Sequence, residues 1–134
     1  MALNVSVVTP ERAVWTGEAQ FVIARSADGD IGVLPGHAPF LGALGYARLI
    51  IQDADGQTYI AVHGGFIEVI DDKVTVLTQT AEPAAEIDTA LANRQREEAE
   101  RAVHEQDTPE NRQALLRAAN RMKTAAEAGL LGIG

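Results

Sequence analysis

The sequence predicts a mainly β protein of the α+β class, in which an antiparallel sheet domain precedes a pair of helices. As far as Thr80, short segments that alternate apolar and polar residues are joined through Gly and Pro, the pattern of a compact sandwich. From Ala81 glycine is absent until Gly129, while alanine and charge increase, which is typical of helices. A chain of 134 residues can hold one sheet domain with a core and a helical appendage.

The first strands are predicted from residues that alternate with a period of two. Residues 3–9 alternate apolar and polar side chains, and Pro10 ends this strand. A second strand is expected over residues 18–25. The residues expected together on one face of it are Ala19, Phe21 and Ile23.

Glycine and proline mark two special backbone positions. After a short strand at 32–34, Pro35 and Gly36 predict a turn, because Pro fixes φ and Gly accepts a positive φ. Gly64 and Gly65 predict a bulge, or a place where another backbone approaches too closely for a side chain.

Two hairpins are predicted in the middle of the chain. The sequence Asp-Ala-Asp-Gly at 53–56 and the pair Asp71-Asp72 each separate two strand-like runs. The strand pairs joined in this way are 48–52 with 58–62 and 66–70 with 74–78.

Two helices are predicted after the sheet. The first begins at Asp88 as its N-cap and ends near residue 105, and Thr108 caps a second helix that runs to about residue 128, with Gly129 as its stop. Each buried methylene contributes only about 0.8 kcal/mol, so narrow stripes rich in alanine predict a detachable pair. The stripe residues are Leu91, Ala99, Ala102 and Val103 on the first helix, and Leu115, Ala119, Met122 and Ala126 on the second.

Composition excludes several classes of partner and site. The formal net charge of -8 opposes binding to nucleic acid, which requires Lys and Arg to replace counterions. With no cysteine, neither a disulfide framework nor a thiolate metal site can form. No apolar run approaches the roughly 20 residues that span a bilayer, so we expect no direct membrane insertion.

Positive charge is concentrated on the second helix, whereas residues 1–80 are acidic. Such a helix is either a solvated face or a surface that binds an acidic groove, a phosphate or a carboxylate. Its basic residues are Arg112, Arg117, Arg121 and Lys123.

Catalysis is not indicated by the sequence. A metal enzyme built on His37, His63 and Glu68 is one alternative, but the histidines lack the close spacing that metal sites in such folds use. A second alternative is a β-sandwich adaptor of another assembly, whose helical hairpin docks on a partner. The residues alone leave the adaptor interpretation open.

The chain resembles the epsilon subunit of the rotary F-type ATP synthase over nearly its whole length. The string from Leu34 to Pro39 in its strand context is the most specific part of this resemblance. The matching segments are Val8-Thr-Pro-Glu-Arg12, Val14-Trp15, Gly32-Val-Leu-Pro-Gly-His-Ala-Pro39, Gly64-Gly-Phe66, Asp72-Lys-Val-Thr-Val-Leu77, Ala81-Glu82 and Arg117-Ala-Ala-Asn-Arg121.

The resemblance implies a ten-stranded antiparallel β-sandwich over residues 1–84 and an antiparallel two-helix hairpin over 85–134. It also implies a non-catalytic subunit of the central stalk, which couples the gamma shaft to the ring of c subunits. Asp30 and His37 match the positions that face the polar loops of the ring. Such a subunit lies peripherally on the cytoplasmic face of the bacterial plasma membrane, or on the equivalent face of a photosynthetic membrane.

The resemblance further implies a brake on ATP hydrolysis. In this family the hairpin either folds against the sandwich or extends along gamma toward the catalytic alpha and beta subunits. About 5.5 kcal/mol of differential binding converts one such state from 1% to 99% of the population. The residues expected to make the inhibitory contacts are Arg112, Arg117, Arg121 and Lys123.

Regulatory ATP is the one ligand that the resemblance allows, and no cofactor is required. Some bacterial members bind ATP through a motif that here reads Ile-Asp-Thr-Ala-Leu-Ala over 87–92, with Leu91 in place of arginine. Losing a charged donor costs about 1.5 to 3 kcal/mol, so we expect weak binding at most, and a capping role for Asp88. The matching positions are Glu82, Asp88, Arg117 and Arg121.

Overall fold

The computed structural model describes residues 2–26 and 28–133, and this part of the chain contains ten strands and two α-helices. A 3-10 turn at Ala84–Glu86 separates the strands from the helices. The strands are β1 (Leu3–Val8), β2 (Ala13–Ala19), β3 (Phe21–Ser26), β4 (Gly29–Val33), β5 (Phe40–Ala43), β6 (Tyr46–Asp53), β7 (Gly56–His63), β8 (Phe66–Ile70), β9 (Lys73–Leu77) and β10 (Ala81–Pro83). The helices are α1 (Thr89–Glu105) and α2 (Pro109–Ile133).

The strands form two five-stranded sheets packed face to face, and the helices form a hairpin. The first sheet has the order β2-β1-β9-β8-β5 and the second the order β10-β7-β6-β3-β4. The predicted ten-stranded sandwich followed by a two-helix hairpin is therefore confirmed. The inward side chains that form the core are Leu3, Val5, Val7, Ala19, Val22, Ala24, Val33, Leu49, Ile51, Ile60, Val62, Ile67, Val69, Val74 and Val76.

One strand pair departs from the expected antiparallel arrangement. β1 lies antiparallel to β2 but parallel to β9, with Val5 opposite Val74 and Val7 opposite Val76. β1 and β9 are separated by most of the sandwich rather than joined by a turn, so chain connectivity does not force them to run in opposite directions.

The predicted strand over 18–25 is wrong in its boundaries and its face. The chain changes sheets at Gln20, where β2 ends and β3 begins. Ala19 faces the core, but beyond the break Val22 and Ala24 are the buried residues. Because side chains alternate with a period of two, a break of one residue moves the apolar set to the other face.

The edge strands β5 and β10 were not predicted. β10 is three residues long and pairs only with β7, with Pro83 opposite Ile60. Proline cannot donate to a sheet hydrogen bond, and an edge strand is where a sheet tolerates it.

Both predicted hairpins and the predicted Pro-Gly turn are present. The β8–β9 turn places Asp71 and Asp72 at φ values of 47° and 62°, as a type I′ turn requires. In the Pro-Gly turn, the His37 amide donates to the Leu34 carbonyl at 3.1 Å while Gly36 has a φ of 88°.

The helix caps are as predicted, but the predicted end of α2 is wrong. The Asp88 carboxylate accepts a hydrogen bond from the Leu91 amide at 3.1 Å, and the Thr108 hydroxyl accepts one from the Asn111 amide at 3.1 Å. α2 continues through Gly129 to Ile133. A glycine inside a helix costs only about 1 kcal/mol, which is too little to end a long helix by itself.

Gly65 is a position of close backbone approach, as the sequence predicts. It has a φ of +107°, and a Cβ built there would lie 2.0 Å from the carbonyl oxygen of Leu77. No side chain fits without moving the β8–β9 end of the first sheet.

We expect Gly65→Ala to destabilise the sandwich by at least about 2 kcal/mol, because positive-φ strain adds to the clash with Leu77. Urea unfolding followed by circular dichroism measures the change. Gly32→Ala is the matched control, since a Cβ at Gly32 meets nothing within 4 Å. Equal stability of the two variants would contradict this account.

Candidate functional site

The candidate site is the docking surface, defined as the outward side of β6 and β7 together with the face of α2 that covers it. Ile50, Tyr59 and Ala61 point away from the core yet are at most 8% exposed. α2 lies over both strands, and α1 packs against α2. These two strands are therefore buried on both faces, one by the first sheet and one by the helix.

Buried polar groups fix the position of α2 on the docking surface. The Asn120 side-chain amide donates to the carbonyl oxygens of Ala47 and Val62, each at 3.2 Å. Ala47 and Val62 lie opposite each other on β6 and β7. Thr124, one turn further along α2, is fully buried and donates to the Asn120 side-chain oxygen at 3.4 Å. A register slip of the helix would leave these groups without partners, which is costly in a buried site.

Two ion pairs join α2 to the sandwich. Arg48 on β6 pairs with Glu127 at 3.0 Å, and its side chain is 16% exposed. Arg121 pairs with Glu82 on β10 at 2.8 Å, and its side chain is 15% exposed. Arg121 also donates to Gln95 of α1 at 2.6 Å, so one guanidinium connects both helices to the sheet.

The apolar part of the docking surface is small. Ala61, Ile87 and Ala92 form a buried cluster with Met122 and Ala125 packed against it. Small side chains bury little area, so hydrophobic burial holds the hairpin only modestly.

Two members of the predicted stripes lie outside the interface. Leu91 is 37% exposed and Ala126 is exposed. The face of α2 that meets the sheet is centred on Asn120 and Thr124, which an apolar pattern does not detect.

A polar cavity of about 380 Å³ lies at the edge of the docking surface. Three of the four positions that match the ATP motif, Glu82, Arg117 and Arg121, line this cavity together. Asp88 instead caps α1 through the Leu91 amide.

The structure divides the four predicted inhibitory residues into two groups. Arg117 and Arg121 line the cavity, whereas the exposed Arg112 and Lys123 lie outside it, with Arg112 bonded to Asp107 of the helix–helix loop. This hydrogen bond holds the pKa of the Asp107 carboxyl below its usual value. Arg112 and Lys123 are therefore exposed basic residues of α2 that lie away from the cavity while the hairpin is docked.

His63 lies in the docking surface beside the cavity and is 7% exposed. Its Nδ1 and the Thr80 hydroxyl are hydrogen-bonded at 2.9 Å. Burial, the charge of Arg117 and the charge of Arg121 lower the pKa of His63 to about 4. The ring is consequently neutral near pH 7.

Asp30 and His37 are not brought together. Asp30 lies at the start of β4, where it bonds to Arg25 at 2.9 Å and lies 3.8 Å from Arg48. Hydrogen bonding to Arg25 lowers the pKa of the Asp30 carboxyl. His37 follows the other end of β4, where its Nδ1 lies 2.6 Å from the Ala38 carbonyl oxygen.

The residues of the metal alternative are also dispersed. His63 lies under α2, His37 follows the turn after β4, and Glu68 is exposed on β8 of the other sheet. Within residues 2–26 and 28–133, no three His, Cys, Asp or Glu side chains form a group that could hold a metal ion. In the same part of the chain, neither helix combines the length and apolarity needed to cross a membrane.

The first sheet carries an exposed apolar row on its outward face. Val8, Leu77, Phe66 and Ala43 are successive cross-strand partners on β1, β9, β8 and β5. Phe66 is 56% exposed and Leu77 52%, and the neighbouring Leu41 is 68% exposed. A contiguous apolar patch of this kind marks an interaction surface.

Sequence reasoning missed Arg48, Asn120 and His63 as members of the docking surface. One signal was available, because residues 49–51 and 59–62 are continuous apolar runs rather than alternating ones. Such runs indicate strands covered on both faces.

Residues 2–84 match the family model described as ATP synthase, Delta/Epsilon chain, beta-sandwich domain. The chain is 47% identical over 116 residues to the ATP synthase epsilon chain of Streptomyces avermitilis, covering 86% of this chain and 91% of the relative. It is 39% identical over 126 residues to the ATP synthase epsilon chain of Desulforamulus reducens, covering 91% of this chain and 96% of the relative.

The fold also matches solved structures. A chain in the Euglena gracilis mitochondrial ATP synthase structure, OSCP/F1/c-ring in rotational state 1, aligns with a TM-score of 0.72 and 22% identity. The alignment covers 96% of this chain and 81% of that one. A chain in the Tetrahymena thermophila mitochondrial ATP synthase structure, central stalk/cring, aligns with a TM-score of 0.58 and 13% identity. This alignment covers 96% of each chain.

The sandwich followed by a docked hairpin, with the family match over the sandwich, places the chain in the delta/epsilon class of ATP synthase subunits. At 47% identity over most of both chains, it belongs to the family of ATP synthase epsilon chains. An epsilon chain is a non-catalytic subunit, and this membership removes the interpretation as an adaptor of another assembly.

We expect Asn120→Ala to weaken docking by about 1 to 3 kcal/mol, because two carbonyl groups of the sheet lose their buried donor. Tryptic cleavage of α2 should accelerate about 5- to 150-fold where cleavage follows the undocked population. Gln113→Ala, at an exposed position of the same helix, should leave the rate unchanged. Equal rates for the two variants would contradict the assignment.

Proposed function

We propose that this epsilon chain couples the gamma shaft of ATP synthase to the c ring and restrains ATP hydrolysis through its helical hairpin. The apolar row on the outward face of the first sheet is the observation that carries the coupling role. The row crosses four strands and lies on the opposite side of the sandwich from the docked hairpin. The shaft can therefore be held while the hairpin moves.

The apolar row suits a permanent partner. Phe66 and Leu77 lie opposite each other on neighbouring strands, where their side chains pack as one unit. Aromatic and aliphatic anchors of this kind supply most of the energy in protein interfaces. Leu41, the most exposed of the large apolar side chains, extends the surface toward β5.

The ring contact that we assign to Asp30 and His37 involves two separate points. The carboxylate of Asp30 is held by Arg25, and the His37 ring lies edge-on to Phe40 with 6.2 Å between ring centres. Each side chain is thus held by its neighbours before it meets the polar loops of the ring.

The restraint on hydrolysis follows from the two groups of basic residues. In the docked state, Arg121 is neutralised by Glu82, and Arg117 lies at the cavity beside His63. Release of α2 would free both and add them to Arg112 and Lys123. The released helix would then carry four cations toward acidic segments of the catalytic alpha and beta subunits.

Regulatory ATP remains a separate expectation, and the proposed role requires no cofactor. The cavity brings Glu82, Arg117 and Arg121 together, which supports an anion site. Arg121 is already bonded to Glu82 and Gln95, and Leu91 supplies no charge, so we expect binding to be weak.

The proposed location follows from the proposed partners. A subunit attached to gamma and the c ring lies peripherally at the cytoplasmic face of a bacterial plasma membrane, or at the equivalent face of a photosynthetic membrane. The curated relatives described above are bacterial epsilon chains.

We expect the double variant Phe66→Ser and Leu77→Ser to reduce affinity for the gamma-containing catalytic head by about 30-fold or more, the effect of losing an interface hot spot. Both side chains are more than half exposed, so the fold should survive. Surface plasmon resonance with the purified head measures the change.

Leu116→Ser is the matched control, since Leu116 is 54% exposed on α2 and lies outside the row. It should bind gamma as the parent does. Undiminished binding by the double variant would reject the apolar row as the shaft contact.

We expect Arg112→Gln with Lys123→Gln to raise ATP hydrolysis by the assembled complex. The hairpin should still dock, because Arg112 bonds to Asp107 rather than to the sandwich and Lys123 is exposed. A brake engaged in half of the complexes would give about a twofold increase when removed. Steady-state hydrolysis with saturating variant measures it.

Arg94→Gln with Arg101→Gln removes two exposed cations from α1 and should leave hydrolysis unchanged. Deleting the whole hairpin should give the largest increase. The cut belongs after Glu86 rather than after Thr80, because β10 is part of the sheet. No increase from either the double variant or the deletion would reject the brake.

A further inference from the structure

His63 is a buried titratable group that the proposed function does not use. It is the last residue of β7, and its side chain points to the outward face that α2 covers. On the sheet side, its ring lies against Tyr46, with centres 5.4 Å apart, and its Nδ1 bonds to the Thr80 hydroxyl. Nε2 is buried and has no hydrogen-bond partner of good geometry.

The charges around this ring are predominantly positive on the helix side. α2 contributes Arg117 and Arg121, whose charges both disfavour a proton on His63. β10 contributes Glu82, but that carboxylate is bonded to Arg121. The other charged groups that line the cavity are Glu11 and Arg12 before β2 and Glu86 of the 3-10 turn, with Arg12 and Glu86 3.6 Å apart.

Docking therefore favours the neutral form of His63. Burial is the largest cause of its lowered pKa, and the guanidinium groups of Arg117 and Arg121 are the next two, whereas a main-chain interaction with Arg117 acts in the opposite direction. Movement of α2 away from the sheet would open the ring to water and withdraw both guanidinium groups at once. The ring would then accept a proton near its ordinary pKa.

We propose that His63 makes docking of the hairpin depend on protons, so that mild acidification releases α2 from the outward face of β6 and β7. The device depends on the docked hairpin and its contacts, and it does not depend on whether the released hairpin inhibits hydrolysis. An experiment can therefore reject the proton-dependent docking without rejecting the proposed brake, and the reverse.

The direction and size of the effect follow from linkage. The docked pKa of about 4 lies below the ordinary value of 6.5, so docking is strongest above pH 6.5 and weakens as the pH falls toward 4. Between pH 7.5 and 5.5 the docking constant should fall about tenfold.

Thiol labelling of the full chain tests the proposal. The sequence contains no cysteine, so Thr124→Cys places a unique, fully buried thiol on the sheet-facing side of α2. Its labelling rate, divided by the rate of the same chain unfolded in urea at the same pH, measures the undocked fraction. We expect this ratio to rise about tenfold from pH 7.5 to pH 5.5.

Three matched variants make the result specific. In the Thr124→Cys background, His63→Gln should reduce the pH effect to less than about twofold, whereas His104→Gln, at an exposed position of α1, should preserve it. Val74→Cys, in the sandwich core, reports unfolding of the sheets and should show no tenfold rise. Circular dichroism verifies that each variant is folded.

Each outcome decides the proposal. The proposal is supported if the labelling ratio at Thr124→Cys rises at low pH, if His63→Gln abolishes this rise, and if Val74→Cys shows no such rise. A ratio independent of pH, a rise that persists in His63→Gln, or an equal rise at Val74→Cys would overturn it.

Discussion

The structure depends on how the outward face of β6 and β7 is covered. These two strands are apolar on both sides, so the sandwich alone leaves one side to be shielded from water. α2 covers this side mostly with alanine and polar side chains, and Met122 is the large apolar residue that packs in the buried cluster. The Asn120 side chain donates to two carbonyl groups of the sheet. The Arg48–Glu127 and Arg121–Glu82 ion pairs join α2 to β6 and β10. The hairpin is therefore specified in position without being held by a broad hydrophobic contact.

The proposed brake requires the hairpin to occupy two states, and this balance of contacts suits that requirement. Release of the helix exposes its apolar contacts to water. Its hydrogen bonds and ion pairs, in contrast, can be replaced by similar contacts on a partner. Arg121, which connects Glu82 to Gln95, makes contacts of this exchangeable kind. The opposite sheet, with its apolar row, does not share residues with the docking surface. The proposed attachment and the proposed movement therefore use different faces of one sandwich.

Much of this could be read from the sequence because the decisive signals were local. The Asp71-Asp72 turn, the Pro-Gly turn and the caps at Asp88 and Thr108 involve residues within a few positions of each other. The face of β3 was assigned wrongly because the change of sheet at Gln20 has no strong local signal. The docking surface was missed for a related reason. Its central residue, Asn120, is polar, and its partners lie more than 50 residues away in the chain.

The parallel pairing of β1 with β9 bears on how the chain is made. β1 can pair with β2 at once, but residues 4–8 cannot pair with β9 until residues 73–77 have been synthesised. Contacts between distant parts of a chain slow folding. The first sheet therefore closes late, when nearly all strands have left the ribosome. The helices follow the strands in sequence, so the surface on which α2 docks is synthesised before the helix that covers it.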